Sequence, residues 1–358
     1  MEILEKENKL GNESISLLEC KVMKGERAGT VKIYATVNDN HHLAVKVSSI
    51  PLDIQIGDLV PTDRTVTNPY ASGSDISGVD LVINKYIALF VVDEKNYIVS
   101  IKMITLTEGE LESISWIKVW EDTFSNSHID DTKWNYIIGG GGYGNNELQC
   151  YTNREKNARI EGNQLILEAH EENYQDNSYT SAKLTTKDKA NWTYGRFSIK
   201  AKLPQGKGIW PAIWMMPADM SIYSGWPSCG EIDIMEIVGH EPDTVHGTIH
   251  YGNPHTYTGE SYKLPNGENF SDDFHVYTLE WEPEEIRWYV NDVLFAKQSE
   301  WFTKSEDGEG DDRHAPFNRE FYLQLNLAVG GDWPGNPDKT TVFPQKMIVD
   351  FVKVYRKS

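Results

Sequence analysis

Three carboxylates stand within six residues of an otherwise apolar segment, Gly230-Glu231-Ile232-Asp233-Ile234-Met235-Glu236. The segment reads as a β-strand. Successive side chains of a strand point to opposite faces, so Glu231 and Asp233 share one face and Ile232 and Ile234 the other. Strict alternation sends Glu236 to the apolar face, where an unpaired carboxylate is costly to bury. One extra residue, a β-bulge at Ile234–Met235, returns Glu236 to the face of Glu231 and Asp233. Two glutamates then stand about 5–6 Å apart with Asp233 between them. That separation suits a pair in which one carboxylate attacks an anomeric carbon and the other protonates the leaving oxygen. Crowding raises the pKa of one member, which can then act as an acid near neutral pH. Asp233 can hydrogen-bond Glu231 and tune its charge through both steps. The competing reading is a solvated acidic strand face in an acid-rich chain.

Aromatic residues surround this segment in the sequence. Gly208-Ile209-Trp210-Pro211-Ala212-Ile213-Trp214-Met215-Met216-Pro217 precedes it, Trp226-Pro227 lies between, and Trp333 follows a glycine pair near the C-terminus. Trp210 and Trp214 are four apart in a strand-like run and share a face. Flat indoles stack on the apolar faces of sugar rings, or pack in a core.

The elements that must position these groups are strands. RFSIKAKL, EIDIMEIV, TVHGTIHY, HVYTLEWE, IRWYVNDVLF and FYLQLNLAV are strand-like, and Asn291-Asp292 marks a hairpin. Helical periodicity is nearly absent; only the stretch around Ser299–Phe302 suggests a turn. Many short strands over some 240 residues predict a β-sandwich or jelly roll. All 11 tryptophans lie at or after Trp116. That shift, and the polar run 107–115, predict two modules, 1–115 and 116–358. The first module also reads as β, with strands over 30–37, 43–50, 86–93 and 97–106 and a hairpin loop at Asp93–Asn96, and an Ig-like sandwich is expected. It assembles no catalytic set. His41 and His42 sit in a polar turn, and the absence of Trp favours a spacer or wall-associated module over a sugar-stacking platform.

Composition narrows the ligand. The 358 residues carry a net charge of −20, which disfavours nucleic-acid phosphates and anionic membrane surfaces. A neutral ligand is expected. The longest apolar run, Tyr86–Val92, has strand length and not membrane-span length, and the charged N-terminus has no apolar leader segment. Three cysteines, Cys20, Cys150 and Cys229, form no disulfide framework. They read as free thiols, with a Cys150–Cys229 bridge as the alternative.

GEIDIMEIVG after GIWPAIWMMP resembles glycoside hydrolase family 16. The resemblance extends to YGNNELQCYTN (143–153), YGRFSIKAKLP (194–204), VHGTIHY (245–251), LQLNLAVGGDWPG (323–335) and IVDFVKVYR (348–356). It spans residues 116–358 and implies a concave jelly roll that binds a glucan across one sheet. The inserted Met235 is similar to the bulged E-x-D-x-x-E form of laminarinases, agarases and κ-carrageenases. WPAIWMMP and NLAVGGDWPG favour the laminarinase type, and a mostly neutral or acidic cleft argues against a sulfated galactan.

The resemblance implies roles residue by residue. Glu231 matches the nucleophile, Asp233 the assisting acid, Glu236 the general acid/base and His250 a histidine near the centre. Trp210, Trp214, Trp226 and Trp333 match cleft aromatics. Asn146, Glu147 and Arg196 match polar groups of the non-reducing-side subsites. Two departures stand out: Cys150 where the family often has an aromatic, and Asp332 where it often has Asn. The resemblance also implies a structural Ca²⁺ on the convex side, held by the Glu121 carbonyl, the Gly162 carbonyl and Asp350, with a surface salt bridge as the alternative for Asp350. Catalysis by two carboxylates needs no cofactor. The implied activity is endo-acting, retaining cleavage of β-1,3-glucan, extending to mixed-linkage β-1,3-1,4-glucan. A non-catalytic glucan-binding protein and a transglycosylase of the same fold are the alternatives. A secreted monomer acting on polysaccharide is expected, its export signal lying outside this sequence.

Overall fold

The computed structural model describes residues 19–38, 40–81, 83–111, 116–303 and 312–357. Contacts divide the chain into two compact units, Met1–Thr62 with Val66–Ser113, and Asp63–Thr65 with Ile114–Ser358. The charged start of the chain and residues 112–115, where the sequence places the seam, lie outside the described residues.

The first unit is built of two small sheets. Cys20–Lys24, Val31–Ala35 and Asp75–Ile76 form one; Val66–Tyr70, His41–Ser48, Tyr86–Asp93 and Ile98–Thr105 form the other, in that order. Ile87, Ala88, Leu89, Phe90 and Val92 of the central strand are fully buried. The hairpin that follows is closed by Asp93, whose carboxylate accepts from the Lys95 and Tyr97 amides, with Asn96 at φ 65°. His42 is hydrogen-bonded to the Asn68 side chain.

The second unit is a two-sheet sandwich of jelly-roll type. Its seven-stranded sheet contains, in chain order, β1 (Asn135–Ile137), β2 (Lys183–Thr185), β3 (Ile209–Pro217), β4 (Glu231–Glu236), β5 (Thr244–Tyr251), β6 (Thr256–Lys263) and β7 (Phe321–Val329). Their order across the sheet is β6-β5-β4-β3-β7-β2-β1. The facing ten-stranded sheet includes Gly195–Lys202, His275–Glu282, Glu285–Val290 and the long C-terminal strand Gln345–Lys357. Alternation assigns the faces. On β3, Ile209, Ile213 and Met215 are fully buried against the other sheet, whereas Trp210 and Trp214 are half-buried on the open face. On β5, Val245 and Ile249 point inward, and His246, Thr248 and His250 point outward. Between the sheets lies one apolar core that includes Phe197, Ile199, Trp281, Trp288, Leu323 and Leu325. Each fully buried side chain of this kind contributes about 1.5–3 kcal/mol, so the core fixes which side chains remain for the open face. Among the described residues helix is confined to three short 3₁₀ turns, and Ser299–Phe302 has no regular structure.

Candidate active site

The open face is organised around a register break in β4. Trp214 of β3 opposes Asp233, and Ile213 opposes Met235, so β4 advances two residues while β3 advances one. On the other side Asp233 opposes Thr248 and Glu236 opposes His246, leaving Ile234 and Met235 facing Gly247 alone. This is a β-bulge at Ile234–Met235. Both side chains enter the core, 2% and 0% exposed, and Glu236 returns to the face of Glu231 and Asp233. The bulge is plugged from within. Trp288 of the facing sheet donates its indole N–H to the Asp233 carbonyl at 2.8 Å. Gly247 makes room for that ring, since a Cβ there would lie 2.5 Å from Trp288 Cδ1. At the start of β4, Gly230 sits at φ +87°, and a Cβ would meet Pro316 and Phe317 at 2.9 and 3.0 Å. No other residue fits both constraints.

Each glutamate is held by an indole. Trp226 Nε1 donates to Glu231 Oε2 at 2.6 Å, and Trp210 Nε1 donates to Glu236 Oε1 at 3.0 Å. Asp233, 2% exposed, stands between them. Acidic oxygens of Glu231 and Asp233 and a ring nitrogen of His250 lie within 4.8 Å of one another. Burial pushes the Glu231 carboxyl up to about 8; the Asp233 charge adds to this, and His250 and the Trp226 N–H oppose it. Burial likewise raises Asp233 to about 7, against its hydrogen bond with Glu231. Glu236 is raised well above the carboxylate range, by burial first and then by the charges of both Asp233 and Glu231. Glu236 is therefore placed to keep a proton while the Glu231–Asp233 pair gives one up.

The sequence-expected aromatics gather on this face. Trp226 and Trp333 are 49% and 44% exposed. Trp210 meets Trp333 edge to face at 5.6 Å, and Trp214 donates to Asn326 Oδ1 at 2.6 Å. Asn146 donates to the Asp332 carboxylate at 2.9 Å, and the Asp332 amide donates to the Asn145 carbonyl, tying the 139–148 loop to the Trp333 loop. Glu147 accepts from Gln149 Nε2 at 2.6 Å and is raised by burial. This loop lines a hollow of about 650 Å³ that contains none of the three carboxylates; the paired acids, and not that hollow, locate the chemistry.

Sequence reasoning passed over several groups on the same face. Lys183 of β2 is 8% exposed, with its Nζ 4.3 Å over the Trp214 ring, and burial lowers it to about 8 against the pull of Glu147 and Glu231. His246 opposes Glu236 and meets Trp333 at 5.1 Å. His255 and Tyr257 cluster around His250. The period-two pattern of VHGTIHY offered the signal for His246, which shares a face with His250.

Arg196 is not part of this site. It lies on Gly195–Lys202 of the facing sheet, where Phe197 and Ile199 take the core positions and Arg196 points outward to Glu280 and Asp292, both at 3.0 Å. The full thickness of the core separates it from the open face. The calcium ligands are likewise spoken for. Lys133 Nζ donates to the Glu121 carbonyl at 2.9 Å, and Lys200 Nζ pairs with Asp350 Oδ2 at 3.1 Å. Gly162 occupies the tight turn between the strands Ala158–Glu161 and Gln164–Tyr174. Two ammonium groups at the intended ligand oxygens do not fit a divalent cation. Cys20, Cys150 and Cys229 are all free thiols.

A jelly roll whose open face carries indole-anchored paired glutamates, an intervening aspartate and exposed aromatic walls is a carbohydrate-cleaving hydrolase of the retaining class. The chain belongs to glycosyl hydrolases family 16, whose model matches residues 144–344. It is 49% identical over 251 residues to a beta-glucanase of Rhodothermus marinus, covering 67% of this chain and 85% of that protein. Among solved structures it is similar to the laminarinase catalytic domain of Thermotoga maritima, with 41% identity, TM-score 0.62, and 68% of this chain and 99% of that one covered. The laminarinase of Rhodothermus marinus superposes equally, with 46% identity, TM-score 0.62 and the same coverage. Residues 23–109 match the S-layer protein SbsC C-terminal domain.

Proposed function

We propose that this chain is an endo-acting, retaining β-1,3-glucanase of laminarinase type that also accepts mixed-linkage β-1,3-1,4-glucan. The observation that carries the reading is the bulge that brings Glu236 onto the face of Glu231 and Asp233, each glutamate gripped by an indole N–H. Glu231, once ionised, attacks the anomeric carbon. Glu236 gives its proton to the leaving glycosidic oxygen, and a covalent glycosyl-enzyme forms. Glu236, now a carboxylate, takes a proton from water, which attacks the same carbon and frees Glu231. Asp233 shares hydrogen bonding with Glu231 as its charge rises and falls. Trp210, Trp226 and Trp333 supply flat apolar surface to neutral sugar rings, which accords with an uncharged polymer. The S-layer-like match in the first unit supports action at or outside the cell surface.

Reducing-end release from laminarin, lichenan and agarose, measured in parallel with Glu231→Gln as control, tests this reading. Cleavage of laminarin and lichenan by wild type alone is expected. Inactivity of the wild type on both glucans would overturn it.

A further inference from the structure

His255 stands on the turn between β5 and β6, and the reaction scheme above gives it no task. Gly252 lets that turn fold inward: it sits at φ +76°, and a Cβ there would lie 2.5 Å from the Phe302 ring. His255 Nε2 is 2.9 Å from His250 Nδ1, and the two rings stack with centroids 5.2 Å apart. His255 also lies 4.8 Å from the ring of Trp226, the residue that donates to Glu231. On its other edge, His250 Nε2 is 3.3 Å from Asp233 Oδ2. That oxygen is buried and has no aligned hydrogen-bond donor.

A neutral imidazole has one N–H and one bare nitrogen. The contact between the two rings needs one of each. If His250 supplies the proton from Nδ1, its Nε2 is bare and faces a carboxylate oxygen, lone pair against lone pair. If His255 supplies it from Nε2, His250 carries its own proton on Nε2 and turns an N–H toward Asp233 Oδ2. Only the second arrangement avoids lone pair against lone pair at both contacts with two neutral rings and an ionised Asp233. We propose that His255 is a positioning residue: by donating to His250 Nδ1 it fixes the Nε2–H tautomer of His250, which steadies Asp233 beside the nucleophile. This rests on Glu231 being that nucleophile.

The test compares the full chain with two variants. His255→Phe keeps a ring against Trp226 but has no N–H, and His255→Gln keeps a donor. Imidazole ¹⁵N shifts at about pH 8, above the usual histidine range, read the tautomer without any need for activity. Wild type is expected to show His250 protonated at Nε2 alone. His255→Phe is expected to lose that single-tautomer pattern, with kcat on laminarin down about tenfold, the scale of one lost hydrogen bond, and KM little changed. His255→Gln is expected to restore both. An unchanged ¹⁵N pattern and kcat in His255→Phe would overturn the proposal. Equal impairment of both variants would overturn it as well, since a retained donor in His255→Gln would then have restored nothing. Wild type that keeps the Nε2–H pattern but cleaves no glucan would instead sink the hydrolase reading.

Discussion

The bulge in β4 is held open by a fit between one glycine and one tryptophan, and Gly247→Ala attacks that fit with a single methyl group. The added carbon would lie 2.5 Å from Trp288 Cδ1 and 2.9 Å from its Nε1. The ring is 1% exposed and has no room to retreat. Overpacking of this kind costs about 1–3 kcal/mol. Moving the ring also strands the buried N–H now bonded to the Asp233 carbonyl, at a further ~1–3 kcal/mol. The sum is about 2–6 kcal/mol, a large part of a typical domain stability of roughly 5–15 kcal/mol. For a unit of this size, at about 2–4 °C per kcal/mol, the Tm should fall by about 4–24 °C. Activity should fall further than stability, because the carboxylates sit on the bulge itself; a shift near 1 Å in Glu236 costs about 10²-fold in rate. Calorimetry and kcat on laminarin would be measured together, with Gly109→Ala as control, since no atom lies within 4 Å of a Cβ built there. Combining Gly247→Ala with Trp288→Phe, which removes both the N–H and part of the ring, should recover some of the loss. A Gly247→Ala protein with Tm within about 1 °C of wild type and unchanged kcat would refute the reasoning that Trp288 props the site.

Other expectations follow from single contacts. Trp226→Phe removes the N–H donated to Glu231 and so withdraws a bond from the ionised form. The acid limb of kcat/KM should move to higher pH by about one unit, the equivalent of roughly 1.4 kcal/mol; a limb that stays put would show that the contact does not tune Glu231. Trp333→Ala removes a half-exposed platform and should raise KM about tenfold, with stability changed by less than about 0.5 kcal/mol. Unchanged KM would remove Trp333 from the binding surface. Because Lys133 and Lys200 already hold the Glu121 carbonyl and Asp350, EDTA should leave the thermal transition in place. A rise of several degrees on adding Ca²⁺ would contradict this.

Parity made the centre of the site legible. Three carboxylates spaced E-x-D-x-x-E cannot share a strand face without an extra residue, so the sequence itself points to the bulge and its position. What holds the bulge open was not legible, because Gly247 and Trp288 are distant in the chain and meet only when the sheets pack. Arg196 shows the same limit. The alternation of Gly195–Lys202 separates Arg196 from Phe197 and Ile199, but nothing local says which sheet the strand joins. The company of the calcium candidates was not legible either: Lys133 and Lys200 are two ordinary lysines whose partners, the Glu121 carbonyl and Asp350, are fixed by long-range register. Lys183 was one of 34 basic residues until β2 placed it under Trp214. The sandwich class was readable from many short strands, whereas the strand order across each sheet was not.

The central claim is the division of labour between Glu231 and Glu236, and azide rescue tests it most directly. Glu231→Ala and Glu236→Ala would each be incubated with an activated laminarin oligosaccharide in the presence of azide, and the anomeric configuration of the product determined by NMR. Glu231→Ala should yield the inverted α-glycosyl azide, since the small anion fills the nucleophile's place. Glu236→Ala should yield the retained β-glycosyl azide, formed by attack on a glycosyl-enzyme still built on Glu231. The reverse pattern, or full activity in either variant without azide, would contradict the assignment.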